Sequence, residues 1–118
     1  MLTDGTVIEQ VNNVVIATVG TRELSLRQLT ELIDELMQKM RCDNAQHVLL
    51  DMATVDFIPS ACLGSLVMFL QDLEHVRGRI GLVHCRPDVL FVFKVTRLDS
   101  VFHLFDDMEK AMAEIVRR

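Results

Sequence analysis

Apolar positions along the chain change their period several times, and each change marks an element. Val14-Val15-Ile16-Ala17-Thr18-Val19 is a β-branched run that stops at Gly20, which predicts a strand. Val7 and Ile8 predict a short strand pairing with it across Asn12-Asn13, two turn residues. From Leu26 to Met40 the spacing lengthens. Leu26, Leu29, Leu32, Ile33, Leu36, Met37 and Met40 fall three or four apart, with Arg27, Glu31, Asp34, Glu35 and Lys39 between them. That spacing predicts an amphipathic helix with Ser25 as its N-cap, broken at Cys42-Asp43-Asn44.

His47-Val48-Leu49-Leu50-Asp51-Met52 is nearly continuous in apolar character, as a strand covered on both faces should be. A second helix opens at Ser60 and runs to about Val76, where Arg77-Gly78 stops it; Leu63, Leu66, Val67, Leu70 and Leu73 line its inner face. Arg79 to Cys85 reads as the next strand. Pro87 suits the first position of a helix reaching about Val95, with Asp88 complementing the dipole. Val101 to Phe105 predicts a last strand, and Asp106 with Glu109 the start of a last helix whose apolar face is Met108, Ala111, Met112 and Ile115. The order β, β, α, β, α, β, α, β, α implies one α/β domain over residues 1–118. Its sheet should be mixed but mostly parallel, of four to five strands, with about four helices and right-handed crossovers.

Composition narrows the class. The 118 residues suffice for one core, and a net charge of −5 argues against non-specific binding to nucleic acid or an anionic membrane. A local basic group, Arg77, Arg79, Arg86, Lys94 and Arg97 with Asp88 among them, reads as a solvated rim; the alternative is a site for an anionic ligand or acidic partner. Cys42, Cys62 and Cys85 form no CxxC pair and no Cys/His cluster, so they read as reduced thiols of a cytoplasmic protein rather than a disulfide frame or zinc site. Asp4 and Glu9, with no basic start before an apolar run, argue against a signal peptide. The longest uncharged run, Phe57 to Leu70, has 14 residues and is too short to span a bilayer.

Ser60 stands out as candidate chemistry because it follows a strand and a turn and opens a helix, where backbone N–H groups lack partners and an added phosphate is tolerated. The plain alternative is an N-cap worth about 1 kcal/mol. Ser60 is no catalytic nucleophile unaided, since no base lies near it in sequence. His47, His75, His84 and His103 are scattered, and His84 and His103 sit in apolar strand runs as structural histidines would. Cys85 precedes Arg86 and a helix start, a setting that can lower a thiol pKa. Pro87, however, removes a backbone donor and no glycine follows to shape an anion cradle, so Cys85 reads as a buried structural thiol. Walker and GxGxxG motifs are missing, and Asp51 and Asp56 read as turn and capping residues rather than Mg²⁺ ligands. No catalytic residue, metal or cofactor is expected, and the chain does not read as an enzyme.

The element order, together with Val48-Leu49-Leu50-Asp51-Met52-Ala53-Thr54-Val55-Asp56-Phe57-Ile58-Pro59-Ser60-Ala61-Cys62-Leu63-Gly64-Ser65-Leu66, resembles the STAS family, the domain shared by sulfate transporters and anti-sigma-factor antagonists. That family typically shows VLDLSxVxFIDSSGLGxL here, and its later TxLxxxF pattern is matched by Thr96-Arg97-Leu98-Asp99-Ser100-Val101-Phe102. The resemblance implies that Ser60 is a phosphoacceptor for a cognate serine kinase, often the anti-sigma factor itself, and that a PP2C-type phosphatase resets it. It also implies partner contacts from the loop Gly20-Thr21-Arg22-Glu23-Leu24 and from Pro59, Ser60, Ala61, Cys62 and Leu63. Three positions depart from the pattern: Pro59 replaces an aspartate, Ala61 a second serine, and Cys62 a glycine. Other readings are a non-phosphorylated STAS subunit of a larger signalling assembly, a small anionic-ligand-binding STAS domain using Arg86 and Arg97, and a cysteine enzyme at Cys85. Oligomeric state, a homodimer included, is left open.

Overall fold

Five strands lie side by side in the order β1 (Val7–Val11), β2 (Val14–Thr18), β3 (His47–Asp51), β4 (Ile80–Val83) and β5 (His103–Phe105). The computed structural model describes residues 5–117; Asp4 lies outside the described residues. β1 pairs antiparallel with β2, and every later pair is parallel. The β1–β2 hairpin turns at Asn12, whose φ of 56° suits asparagine. The helices are α1 (Leu26–Asp43), α2 (Ser60–His75), α3 (Pro87–Val95) and α4 (Met108–Ile115).

The two-residue period of the strands sorts their side chains onto two faces. Val15, Ala17, Val48, Leu50, Ile80 and Leu82 meet Leu29, Leu32 and Leu36 of α1, Phe69 and Leu73 of α2, and Val89 and Phe93 of α3 in the larger core. Val14, Ile16, Leu49 and Val83 point the other way and meet Ala111 and Ile115 of α4. Three helices therefore cover one face and a single short helix the other.

Local chemistry sets the ends. Ser25 and Gln28 form a reciprocal capping box at α1: the Gln28 amide donates to Ser25 Oγ (3.1 Å) and the Ser25 amide to Gln28 Oε1 (3.0 Å). α1 continues through Cys42 and Asp43 and ends at Asn44, which takes the left-handed φ of 57°. α4 is capped by Asp107, not Asp106; Asp107 Oδ1 accepts from the Lys110 amide at 2.7 Å. Starting the helix at Met108 carries Ala111 and Ile115 onto the sheet. β5 is shorter than its apolar run suggests. A 3₁₀ turn at Leu98–Ser100 takes up the chain before it, and Phe102 turns inward to meet Phe93 edge-on at 5.7 Å.

His47 is the buried histidine, not His84 or His103, both of which are exposed. Its Nδ1 accepts from the Arg79 amide at 3.1 Å. Burial first, and the Arg79 charge second, push its pKa below 6.5. Between the folded and unfolded pKa values the unfolded chain binds more protons, so acidification through 6.5 favours unfolding at this residue. We expect the urea midpoint to fall between pH 7.5 and 5.5, and a His47→Asn variant to flatten that slope; equal slopes would remove His47 from the explanation.

Candidate functional site

The chain leaves the sheet at the carboxyl end of β3 and is held at each step. The Met52 amide donates to the Val83 carbonyl (2.8 Å) and the Ala53 amide to Asp51 Oδ1 (3.1 Å), while Arg86 Nε donates to the Ala53 carbonyl (2.8 Å). Val55 and Ile58 then plug into the core. Between them the chain runs along the loop that follows β2. The Asp56 and Phe57 amides donate to the Arg22 carbonyl (2.9 and 3.2 Å), and the Leu24 amide returns to the Phe57 carbonyl (3.2 Å). Arg22 closes the lacing with Nη2 2.7 Å and Nε 3.0 Å from Asp56 Oδ2. The hydrogen bond from Arg22, reinforced by its charge, holds the Asp56 carboxyl below its ordinary range.

Pro59 is the N-cap of α2, in an extended conformation, and offers no side-chain acceptor to the helix. Ser60 is therefore the first helical residue and not the cap: proline fixes the extended cap position one residue earlier. The Ser60 side chain is exposed, and its hydroxyl has no hydrogen-bond partner among the described residues. Ala61 and Gly64 are exposed beside it. One turn of backbone follows directly, with the Cys62 amide 2.9 Å from the Pro59 carbonyl.

The structure brings Thr21, Arg22, Glu23, Pro59, Ser60 and Ala61 onto one side of the molecule through this lacing, at the surface or half-buried. Cys62 and Leu63 lie elsewhere: they are 0% and 7% exposed, on the inward face of α2. They position the surface without forming it. Cys62 Sγ donates to the Leu24 carbonyl at 3.3 Å and ties the first turn of α2 to the 20–24 loop, and burial raises its pKa. Phe57 is the residue the sequence did not disclose. It is 53% exposed and bridges to Glu23, although an aromatic next to Ile58 reads as core.

Other candidates are chemically quiet. Cys85 is half-buried, and burial first, then the Asp51 carboxylate, push its thiol up to about 12. Arg86 and the start of α3 do not activate it, because the Arg86 guanidinium turns to the Ala53 carbonyl. His84 lies just past β4 with φ 61° and pairs with Asp51 at 3.1 Å; His103 stacks on Phe105 at 6.3 Å between ring centres. Asp51 and Asp56 are thus engaged separately, and among the described residues no three His, Cys, Asp or Glu side chains gather to hold a metal ion. The sequence-adjacent arginines also part company. Arg86 follows the carboxyl end of β4, whereas Arg77 and Arg79 precede its amino end.

A five-stranded sheet with this order, and a helix starting at a free serine beside the β2–α1 loop, is the arrangement of a STAS domain. The STAS domain model matches residues 6–111, and the chain belongs to that family. Among curated relatives it is similar to BtrV of Bordetella bronchiseptica, provisionally an anti-sigma factor antagonist, with 31% identity over 68 residues. That match spans 58% of this chain and 59% of BtrV. Among solved structures it is similar to a provisional anti-sigma factor antagonist of Thermotoga maritima, at TM-score 0.81 and 23% identity over 95% of both chains. It is also similar to SpoIIAA, solved unphosphorylated (TM-score 0.79, 19% identity, 94% of this chain and 96% of that one) and, from Bacillus, phosphorylated (0.72, 17%, 94% and 99%).

Proposed function

We propose that this protein acts by regulated protein–protein contact, as an anti-sigma factor antagonist in a cytoplasmic partner-switching system, with Ser60 as phosphoacceptor. Its partners on this reading are an anti-sigma factor that doubles as serine kinase and a PP2C-type phosphatase. The observation that carries the reading is an exposed hydroxyl, without a partner among the described residues, on the first residue of a 16-residue helix, with exposed Ala61 and Phe57 and the Arg22–Glu23 loop nearby. Among the described residues no helix is long and apolar enough to cross a membrane, which suits such a role.

The physics follows from two environments of one phosphate. On the free protein, the added charge of about −1.5 to −2 sits at the positive end of the α2 dipole, beside amides that Pro59 does not cap with a side chain. In a complex the same charge lies against a partner, and an unpaired buried charge costs several kcal/mol. The fold keeps its shape while the interface is lost. Replacement of the family's aspartate by Pro59 removes a negative neighbour that would repel the phosphate.

Incubation with ATP and the serine kinase fraction of the source cells, followed by peptide mass spectrometry, is expected to place one phosphate on Ser60 and none on a Ser60→Ala variant. A phosphate elsewhere, or none in the presence of a kinase that binds the chain, would favour a fixed-subunit role.

A further inference from the structure

A concave site lies at the end of the sheet away from Ser60. Ser60 opens α2 and Arg77 follows its end, so about 24 Å of helix separates them. There Asn13, Gln46, His47, Arg77, Arg79 and Arg117 surround a cavity of about 470 Å³, and Val116 is its one apolar contributor among the described residues. Among the described residues no Asp or Glu lines it, in a chain whose net charge is −5. None of the three arginines forms an ion pair among the described residues.

The wall is rigidly built. The Arg77 carbonyl accepts from Gln46 Nε2 at 2.8 Å, and the Arg79 carbonyl accepts from the Val48 amide at 2.9 Å. Gly78 between them packs so tightly that a Cβ would stand 2.4 Å from the Gln46 carbonyl oxygen. Both guanidinium stems thus spring from backbone pinned to the start of β3.

His47 supplies an independent pointer. It is 6% exposed and lines the cavity. Its Nδ1 accepts from the Arg79 amide, so the neutral ring carries its proton on Nε2. Nε2 has no partner among the described residues, yet no buried side-chain nitrogen or oxygen is left without one, so this N–H reaches solvent. A nearly buried donor and three arginines lining one cavity suit multidentate phosphate recognition.

We propose that this cavity binds a compact di- or triphosphate anion, held by Arg77, Arg79 and Arg117 with His47 Nε2–H as the inner donor. Among the described residues no phenylalanine lines it to stack a nucleobase, so recognition rests on the phosphate chain. The site is separate from Ser60 and does not depend on phosphorylation there.

Titration of the full chain with pyrophosphate, followed by calorimetry and amide NMR shifts, tests this. At low salt we expect saturable binding with shifts centred on residues 46–48, 77–79 and 117, and a loss of affinity of at least about tenfold in an Arg79→Gln/Arg117→Gln double variant whose amide spectrum otherwise stays native. Orthophosphate should bind more weakly, and ADP within about threefold of pyrophosphate. Absence of saturation, binding unchanged in the double variant, or a strong preference for ADP mapping to other residues would overturn the assignment. Ser60→Asp should leave pyrophosphate binding unchanged.

Discussion

A single phosphate on Ser60 is expected to weaken binding of the cognate partner by more than about 100-fold, equivalent to roughly 3 kcal/mol, while changing the protein's own stability by less than about 1 kcal/mol. The asymmetry comes from position. Ser60 is exposed on the first turn of α2, and its hydroxyl supports nothing that the fold would lose. The neighbouring load-carrying groups, Cys62 and Leu63, point inward and are untouched by a modification on the outer face. Ser60→Asp should reproduce the direction with a smaller effect, since it adds one charge rather than nearly two. Ser60→Ala should retain binding. Calorimetry against the isolated partner, paired with urea unfolding of each variant, measures both sides. A stability loss that matched the affinity loss would mean the change acts through folding and not through the interface.

The second large effect concerns the support beneath that surface. Phe69 is on α2, about two and a half turns from Ser60, and is 1% exposed in the main core. Phe69→Ala removes a buried aromatic and leaves a cavity that a sheet-backed core cannot close, at an expected cost of about 3–5 kcal/mol. For a domain of this size the melting temperature should fall by roughly 10–20 °C. Met68, the adjacent residue, faces outward and is 66% exposed, so Met68→Ala should stay within about 0.5 kcal/mol of the parent. The pair tests the orientation of α2 about its axis. Near-equal losses would mean that α2 is rotated, and with it the direction in which Ser60 points.

Most of the architecture was legible in the chain because periods of two and 3.6 are properties of backbone geometry. The Leu29, Leu32, Leu36 stripe and the Val48-Leu49-Leu50 run could satisfy water exclusion in one way each. Element ends were less legible, because neighbouring polar residues compete for the same cap. Asp106 and Asp107 both offer a carboxylate, and the choice falls to whichever start puts Ala111 and Ile115 on the sheet. Ser60 looked like a cap for the same reason, until the fixed φ of Pro59 moved the cap one residue back.

Side-chain direction at the site was the least legible part. Proximity in sequence suggested that Pro59 to Leu63 face one way, but a helix turns its successive residues about 100°, so Cys62 and Leu63 enter the core while Ser60 and Ala61 do not. Phe57 escaped notice because only the pairing of its backbone with Arg22 and Leu24, far away in sequence, turns it outward. The basic residues were misgrouped for a related reason. Arg79 and Arg86 are close along the chain but bracket a strand, which carries them to opposite ends of the sheet.

The most direct measurement is hydrogen exchange of the full chain, free and bound to the anti-sigma factor proposed as its partner, before and after phosphorylation. Slowed exchange confined to residues 20–24 and 56–65 in the unmodified complex, and absent once Ser60 carries phosphate, is the predicted result. Protection centred on residues 77–79 and 117, or a footprint that survives phosphorylation unchanged, would contradict a switch at the entrance of α2.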